Sequence, residues 1–247
     1  MKTVAMWTIK GGVGKTAAAV NVAHAAATMG HRILLWDLDP QGAASFYLRV
    51  PATMEGGARV VVDRTTDLGW HARPTEFDNL FILPADFSFR HLDLELDATA
   101  KPRKELLRRL APLADRFDVV LIDCPPSVSL VSEAVVRASD GILAPVIPST
   151  LSIRTLDLVR GFVQGNGRKN TLLMPFLSMV DRRKRLHREL HDQCLEDESF
   201  LRTTIPTASV VERMGLTRAP VAATLPSQPA AKAFHSLWRE AAQRLGV

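Results

Sequence analysis

The chain has 247 residues and a formal net charge of +5, with 31 Lys and Arg against 26 Asp and Glu. This modest positive excess is compatible with binding to a polyanion but does not require it. The two cysteines, Cys124 and Cys194, are too few for a disulfide framework or a cysteine-rich metal site. No apolar run approaches the ~20 residues needed to span a bilayer, so we expect a soluble, cytoplasmic protein without a signal peptide.

The first predicted elements are a strand, a glycine-rich loop and a helix. An apolar stretch at residues 4–9 leads into the sequence K-G-G-V-G-K-T, and an alanine-rich helical pattern covers residues 16–29. Glycines in such a loop let backbone N–H groups approach phosphate oxygens, a lysine adds charge at the β- and γ-phosphates, and a threonine hydroxyl can bind Mg²⁺. The expected phosphate-binding residues are Gly11, Gly12, Val13, Gly14, Lys15, Thr16 and Ala17.

Strands and helices alternate along the rest of the chain. Strands are predicted at residues 32–37, 80–84, 117–123, 141–147 and 171–180, and helices at 103–116 and 152–163. Between residues 47 and 73 only a short strand within loops is predicted, at the β-branched run 60–62. The alternation predicts an α/β fold: a mostly parallel, twisted sheet with helices on both faces, in a single domain over residues 1–247.

Acidic residues stand at the ends of predicted strands. Asp37 and Asp39 lie in the sequence D-L-D-P-Q-G, and Asp123 follows a run of four apolar residues. Any one of these acids could instead cap the helix that follows it. Because the carboxyl ends of parallel strands share one edge of a sheet, the three acids beside a phosphate-binding loop favour metal chemistry there.

A basic segment follows the strand predicted at 171–180. Five of the seven residues at 182–188 carry a fixed positive charge. Helical spacing would spread them over a broad face that suits DNA phosphates and does not read bases. The alternative is a solvated helix whose cations pair with Glu189 and Asp192. The candidate DNA-binding residues here are Arg182, Arg183, Lys184, Arg185 and Arg188.

The last helical pattern places five apolar residues at i, i+3/i+4 spacing. They are Phe234, Leu237, Trp238, Ala241 and Leu245. Such a helix could lie on a membrane surface. Docking against the sheet is favoured, because an apolar face is what a docked helix needs and few cations flank it. We therefore expect no membrane partner.

The glycine-rich loop departs from the usual G-x-x-x-x-G-K-[ST] pattern, because Ile9 occupies the first position and Lys10 precedes the glycine pair. The form K-G-G-x-G-K-[ST] resembles the deviant Walker A motif of the ParA/MinD ATPases, and D-L-D-P-Q-G resembles the second motif of ParA-type members. A solvated loop lysine is the alternative for Lys10, and the strand–loop–helix context disfavours it. The resemblance implies a P-loop NTPase that binds ATP and Mg²⁺ and forms a homodimer around two ATP molecules.

The same resemblance assigns roles to residues of the site. Lys10 would reach across the dimer to the partner's phosphates, Lys15 would neutralise charge within its own subunit, and Asp39 would position the attacking water. The sequence D-C-P-P-S at residues 123–127 would sense the γ-phosphate. Cys124 is expected to be a small core residue rather than a cluster ligand. The Mg²⁺ site would be formed by Thr16, Asp37 and Asp123.

The resemblance also covers DNA binding and the nucleotide base. The position matching a DNA-binding arginine of ParA-type proteins is Arg183, and Arg213 and Arg218 are neighbouring candidates for a second such arginine. Pro206 is the candidate for a loop that closes over the adenine.

The function implied by these motifs is that of an ATP-dependent dimeric switch on nucleoid DNA. A ParB-like or other adaptor would stimulate slow hydrolysis and release the dimer, and the cargo would be a plasmid, a chromosome or a protein assembly. Two other classes stay open: a MinD-like membrane-associated positioning ATPase, and a metabolic P-loop enzyme or reductase. Neither alternative has a motif of its own in this sequence.

Overall fold

Residues 1–247, described by a computed structural model, form a seven-stranded sheet in the order β3-β4-β2-β5-β1-β6-β7. All neighbouring strands are parallel except β3, which pairs antiparallel with β4. The strands are β1 Lys2–Met6, β2 Ile33–Asp37, β3 Arg73–Pro74, β4 Leu80–Leu83, β5 Val119–Asp123, β6 Gly141–Val146 and β7 Leu172–Leu177. The mostly parallel sheet that the sequence predicts is confirmed.

Twelve α-helices connect or follow the strands. The longer ones are α1 Lys15–Thr28, α5 Pro102–Leu110, α6 Leu130–Ala138, α7 Thr150–Asn166, α8 Arg185–Leu195 and α12 Pro229–Leu245. The shorter ones are α2 Ala43–Tyr47, α3 Ala58–Val62, α4 Leu92–Asp97, α9 Ser209–Glu212, α10 Met214–Thr217 and α11 Val221–Thr224. Three 3₁₀ turns lie at Leu68–His71, Phe87–His91 and Ala111–Leu113.

The strands are buried on both sides, which is why they read as continuous apolar runs. Along β2, Leu34 and Trp36 face one cluster of 36 buried apolar residues, and Ile33 and Leu35 face a second cluster of 32. Helices α3 to α8 contribute to the first cluster, and α1 and α12 to the second. The sheet is therefore covered by helices on both faces, as predicted.

The strand predicted at residues 60–62 is wrong, because these residues belong to α3. Gly56 and Gly57 make the turn before this helix with φ of +80° and +57°. The Ala58 N–H donates to Ser88 Oγ at 2.8 Å, and Val61 is fully buried. β-branched residues favour strands only where a pleated neighbour is available, and the packing against α4 and α5 decides the conformation here.

Other boundaries differ from the predictions by a few residues. The first strand ends at Met6, so residues 7–9 already belong to the loop. The helix predicted at 103–116 ends at Leu110 and gives way to a 3₁₀ turn, because Pro112 lacks an N–H and cannot continue the helical hydrogen bonds. The last strand stops at Leu177, and Met179 follows with φ of +58°.

The C-terminal helix is docked, as expected. Phe234, Leu237 and Trp238 on α12 are buried against α1. Cys124 is buried in the core, as expected for a small core residue. No helix combines the length and the apolar character that crossing a bilayer would require.

Candidate nucleotide-binding site

The loop between β1 and α1 is built on glycines in left-handed conformations. Gly12 has φ of +70° and Gly14 has φ of +85°, values that L-residues with a side chain adopt only with strain. Gly14 is also the N-cap of α1, so the helix N-terminus follows the loop directly. Ser178, just past β7, donates its hydroxyl to the Val13 carbonyl at 2.9 Å and fixes the loop from outside. This is the geometry that a phosphate-binding loop needs.

Two lysines flank the loop and are both held by their own subunit. Lys15 is only 7% exposed, and its Nζ donates to the Lys10 carbonyl at 3.2 Å. Burial lowers the pKa of Lys15, although Asp123, Cys124 and Asp39 oppose the shift. The Lys10 Nζ donates to Ser152 Oγ at 2.9 Å. Lys15 therefore lies inside the site, and Lys10 points toward the start of α7.

Two aspartates stand side by side where β2 and β5 end. Asp37 is in register with Asp123 across the strand pair, and both are fully buried. One oxygen of Asp37, Oδ2, accepts the Ser45 N–H and the Ser45 hydroxyl, each at 2.8 Å. Asp37 Oδ1 and both carboxyl oxygens of Asp123 are buried without a hydrogen bond of normal geometry, although the Thr16 hydroxyl lies near enough to lower the pKa of Asp123, and the Asp39 N–H that of Asp37. Three buried carboxyl oxygens are thus free to interact with a cation.

The pKa values of Asp37 and Asp123 also indicate a cation site. Burial raises the pKa of Asp37 to about 6, although hydrogen bonds from Ser45 pull it down. Burial, followed by the charge of Asp37, raises the pKa of Asp123 well above its usual range. Buried acids whose ionised forms are this costly are stabilised by a nearby cation. The donor set of Thr16, Asp37 and Asp123 is composed of hard oxygen atoms, which fits Mg²⁺.

The third predicted acid, Asp39, lies two residues beyond the strand end. Its Oδ1 accepts the Gln41 N–H at 3.0 Å, and the residue is half-buried. Its charge raises the pKa of both Asp37 and Asp123. Asp39 is thus close to the cation site without being enclosed by it, and positioning a water remains a prediction for it.

A small cleft lies beside the loop. Pro206 and Thr207 face Gly14, Ala17 and Ser178 across it. Pro206 also borders a cavity of about 670 Å³ that extends toward Arg182 and Arg183. The Val180–Pro206 bridge ties this segment to the end of β7. Pro206 thus lies beside the phosphate-binding loop, and its contact with a base stays a prediction.

The basic segment differs from the predicted helical face. Residues 181–184 form a turn, closed by a hydrogen bond from the Lys184 N–H to the Asp181 carbonyl, and α8 begins only at Arg185. Asp181 pairs with Arg183 through two hydrogen bonds of 2.9 Å, and Glu189 pairs with Arg185 at 2.6 Å. The expected helical spacing is wrong for the first three cations, because Asp181 stabilises a turn instead.

The remaining cations of this region are disposed differently. Arg182 and Lys184 are exposed and have no acidic partner, and the Arg188 guanidinium donates to the Arg182 carbonyl at 2.8 Å. Arg213 is exposed between α9 and α10. Arg218 donates to the Phe46 carbonyl at 3.0 Å and lies 4.5 Å over the Phe46 ring. Arg218 is thus packed on α2, whereas the basic segment follows β7 at the sheet edge.

Serine residues that the sequence analysis did not single out complete the site. Ser45 binds Asp37, Ser178 binds Val13, and Ser152 binds Lys10. The sequence S-T-L-S at the start of α7, with Ser149 as the N-cap and Ser152 in the first turn, is the one local signal that could have drawn attention to Ser152. The other two serines stand in no recognisable motif.

Comparison with known proteins connects this site to a family. Residues 1–171 match a family model described as an AAA domain. The chain is 31% identical to the chromosome partitioning protein ParA of Caulobacter vibrioides over 77% of its own length and 74% of that protein. It shares its fold with a putative plasmid partition protein of Borrelia burgdorferi bound to AMPPNP, with a TM-score of 0.84, 19% identity and coverage of 98% and 99%. The fold also matches a cobyrinic acid a,c-diamide synthase from Mycobacterium smegmatis with a bound ATP analogue and magnesium, with a TM-score of 0.79, 23% identity and coverage of 97% and 93%.

Proposed function

The chain belongs to the ParA/MinD family of partition and positioning ATPases, and from this membership we propose that it hydrolyses ATP as a Mg²⁺-dependent homodimer on nonspecific DNA. The observation that carries the proposal is the juxtaposition of the glycine loop with the acids Asp37 and Asp123 at adjoining strand ends. A triphosphate seated on the loop would bring its Mg²⁺ to the unpaired carboxyl oxygens.

Hydrolysis at such a site is mainly a matter of positioning and charge neutralisation. Lys15 would contact the phosphates from inside the subunit, and Lys10 would do so from the partner subunit. Bound Mg²⁺ would supply further neutralisation of the phosphate charge. Asp39, at the rim of the acid pair, would hold the attacking water. The base would lie against Pro206.

DNA binding is supported by the position of the basic segment. Arg182 and Arg183 border the cavity that Pro206 also lines, so the cationic surface adjoins the nucleotide site. Three of its cations, Arg182, Lys184 and Arg188, have no acidic partner. Arg188 donates to the Arg182 carbonyl instead, so Arg182 and Lys184 are the two left available to phosphates. Closing of the nucleotide site in a dimer would then be coupled to the shape of the DNA-binding surface. A plasmid, a chromosome or a protein assembly would be the cargo, and a ParB-like or other adaptor would stimulate hydrolysis.

The direct test is binding to a DNA duplex of arbitrary sequence with ATP, ADP or no nucleotide, over a salt series. We expect binding only with ATP. The logarithm of the binding constant should fall linearly with the logarithm of the salt concentration, with a slope of about −0.9 for each phosphate contacted. Arg183→Glu should reduce affinity at moderate salt by at least about tenfold and lower the slope by about one. The matched control is Arg59→Glu, which changes an exposed arginine on α3.

Each outcome decides between functions. Undiminished DNA affinity of the Arg183→Glu protein would mean that Arg183, which pairs with Asp181 in the structure, does not contact DNA. Absence of DNA binding in every nucleotide state, together with binding to anionic vesicles, would favour the MinD-like positioning ATPase. ATP hydrolysis that requires a small-molecule acceptor would favour a metabolic P-loop enzyme.

A further inference from the structure

A cationic groove of about 410 Å³ lies between α1 and α12. None of its nine lining residues is acidic, and the polar ones are His24, Thr28, Lys232, His235, Ser236 and Arg239. Because an α-helix rises ~1.5 Å per residue, His24 lies roughly 15 Å along α1 from Gly14, the N-cap of that helix. This α1–α12 groove is therefore separate from the phosphate-binding loop.

The two permanent cations of the groove have no acidic partner. Lys232 and Arg239 are exposed and form no salt bridge. Helix α1 contains no acid, and the only acid of α12, Glu240, accepts the backbone N–H groups of Arg202 and Thr203. The chain itself therefore leaves the positive charge of the groove without a counter-ion.

Two histidines add to this lining. The Thr28 hydroxyl donates to the Ala25 carbonyl at 2.8 Å, which leaves its lone pairs for the His235 Nε2–H at 3.1 Å. His24 is only 7% exposed, and its Nδ1 is buried without a hydrogen-bond partner. Burial, followed by the charge of His235, lowers the pKa of His24. An anion in the groove would oppose that shift, because a nearby negative charge favours the protonated imidazole.

We propose that the α1–α12 groove binds a phosphate group, carried either by inorganic phosphate or by a small phosphomonoester. On α12, Lys232, His235, Ser236 and Arg239 follow one another at i, i+3, i+4 and i+7, so their side chains share one face of the helix. Across the groove lies His24 of α1. This inference goes beyond the proposed function and does not depend on it, because no residue of the groove belongs to the nucleotide site.

The chemistry of the lining favours a phosphate group over a single carboxylate. A phosphate monoester carries about −1.5 to −2 charges at pH 7 and offers three strong acceptor oxygens. Lys232 and Arg239 stand about two helical turns apart, or ~10.5 Å along the axis, so their long side chains can approach one ligand from opposite ends. Small-ligand pockets have volumes of ~300–1,000 Å³. The groove therefore has room for a small organic group, which would contact Ala222, Pro226 and Ala231.

The ring resonances of the histidines report binding at this place directly. Heteronuclear NMR of the full chain resolves its seven histidines, and His24→Gln and His235→Gln identify the two signals of interest. Inorganic phosphate replaces chloride at pH 7 and constant ionic strength, with saturating MgADP present to occupy the phosphate-binding loop. We expect the His24 and His235 signals to follow one saturating curve with a dissociation constant of about 1 mM or lower. His71 and His91, outside the groove, serve as references.

Substitution of the exposed cations tests the assignment without disturbing the core. Lys232→Gln and Arg239→Gln should each raise the phosphate dissociation constant by about 2- to 10-fold, and the double variant by about 4- to 100-fold. The matched control is Arg154→Gln on α7, which changes another exposed arginine without a salt bridge. An unchanged constant in the double variant, or shifts that do not saturate or that equal those of His71 and His91, would overturn the proposal.

The source of the phosphate group is identified by repeating the titration with glycerol 3-phosphate. A lower dissociation constant than that of inorganic phosphate would assign the groove to a phosphomonoester, and a higher one would assign it to free phosphate. A DNA duplex is the third ligand. If the duplex shifts His24 and His235 while both small phosphates leave them unchanged, the groove is part of a DNA-binding surface and the proposal is wrong. Because the readout is local to the groove, failure of the protein to bind or hydrolyse ATP would not affect this result.

Discussion

We expect Lys15→Ala to weaken ATP binding by about 10- to 150-fold while leaving the protein folded. Lys15 is the one lysine whose ammonium lies inside the phosphate-binding loop, and it is 7% exposed. In a site this enclosed, a charge-assisted hydrogen bond to a phosphate is not replaced by water when the lysine is removed. The loss of such a bond corresponds to about 1.5–3 kcal/mol, which is the stated range in affinity.

The same structure indicates that the substitution does not unfold the protein. Burial lowers the pKa of Lys15, so the folded state stabilises its charged form less than water does. Replacing the side chain by alanine removes that cost together with a neutral hydrogen bond to the Lys10 carbonyl. We therefore expect a thermal midpoint within a few degrees of the wild type, corresponding to a change of about 1 kcal/mol or less.

The assay is titration calorimetry with ATP and Mg²⁺ at a protein concentration that keeps the chain monomeric. Lys10→Ala is the matched control, because its ammonium binds Ser152 and not the loop. That variant should retain monomer affinity within about threefold, as expected for a residue outside the loop, and lose ATP-dependent dimerisation. Wild-type ATP affinity in a folded Lys15→Ala protein would refute the assignment of the loop.

Two further predictions concern buried ionisable groups. Asp123→Asn should raise the free energy of unfolding in EDTA by about 1–2 kcal/mol, because it removes a fully buried carboxyl whose ionised form is made costly by burial and by the charge of Asp37. The variant should also lose the extra thermal stabilisation by MgATP. A lower stability in EDTA would contradict this reasoning. His24 has its pKa lowered by burial and by His235, so unfolding takes up a proton below pH ~6.5 and stability falls as pH decreases, by at most about 1.4 kcal/mol per pH unit. Denaturant unfolding between pH 7.5 and 5 should show a shallower decline for His24→Gln and an unchanged one for the exposed control His91→Gln; equal slopes in all three proteins would exclude His24 as the titrating group.

Local patterns predicted the parts of the site that depend on neighbouring residues. The glycines of the loop and the acid at the end of β5 are recognisable because strand, loop and helix follow one another within a few residues. The serines were missed because their partners are distant in sequence: Ser178 is separated from Val13 by 165 residues, and Ser152 from Lys10 by 142. No periodicity encodes such a contact, since it depends on which strands are neighbours in the sheet.

Local propensity failed where tertiary packing or an ion pair decides the conformation. Val60 and Val61 read as a strand, but they pack on helices and have no strand neighbour. The basic segment read as a continuous helix, and Asp181 instead pins Arg183 in a turn before α8. The count of positive charges was correct in that segment. Which of these cations are free to bind phosphates was not predictable, because it depends on which carboxylate each cation contacts.

Charge balance at the site links ATP hydrolysis to dimerisation in the proposed function. Asp37 and Asp123 already place two costly carboxyls at the strand ends, and a triphosphate adds further negative charge. One lysine inside the subunit does not offset that charge, so Mg²⁺ and a second lysine are needed as charge develops on the transferred phosphoryl group. Lys10 of the same subunit is directed to Ser152, so in the proposed dimer the second lysine would be Lys10 of the partner. A monomer would then bind ATP without hydrolysing it efficiently, and hydrolysis would begin only after two subunits have met.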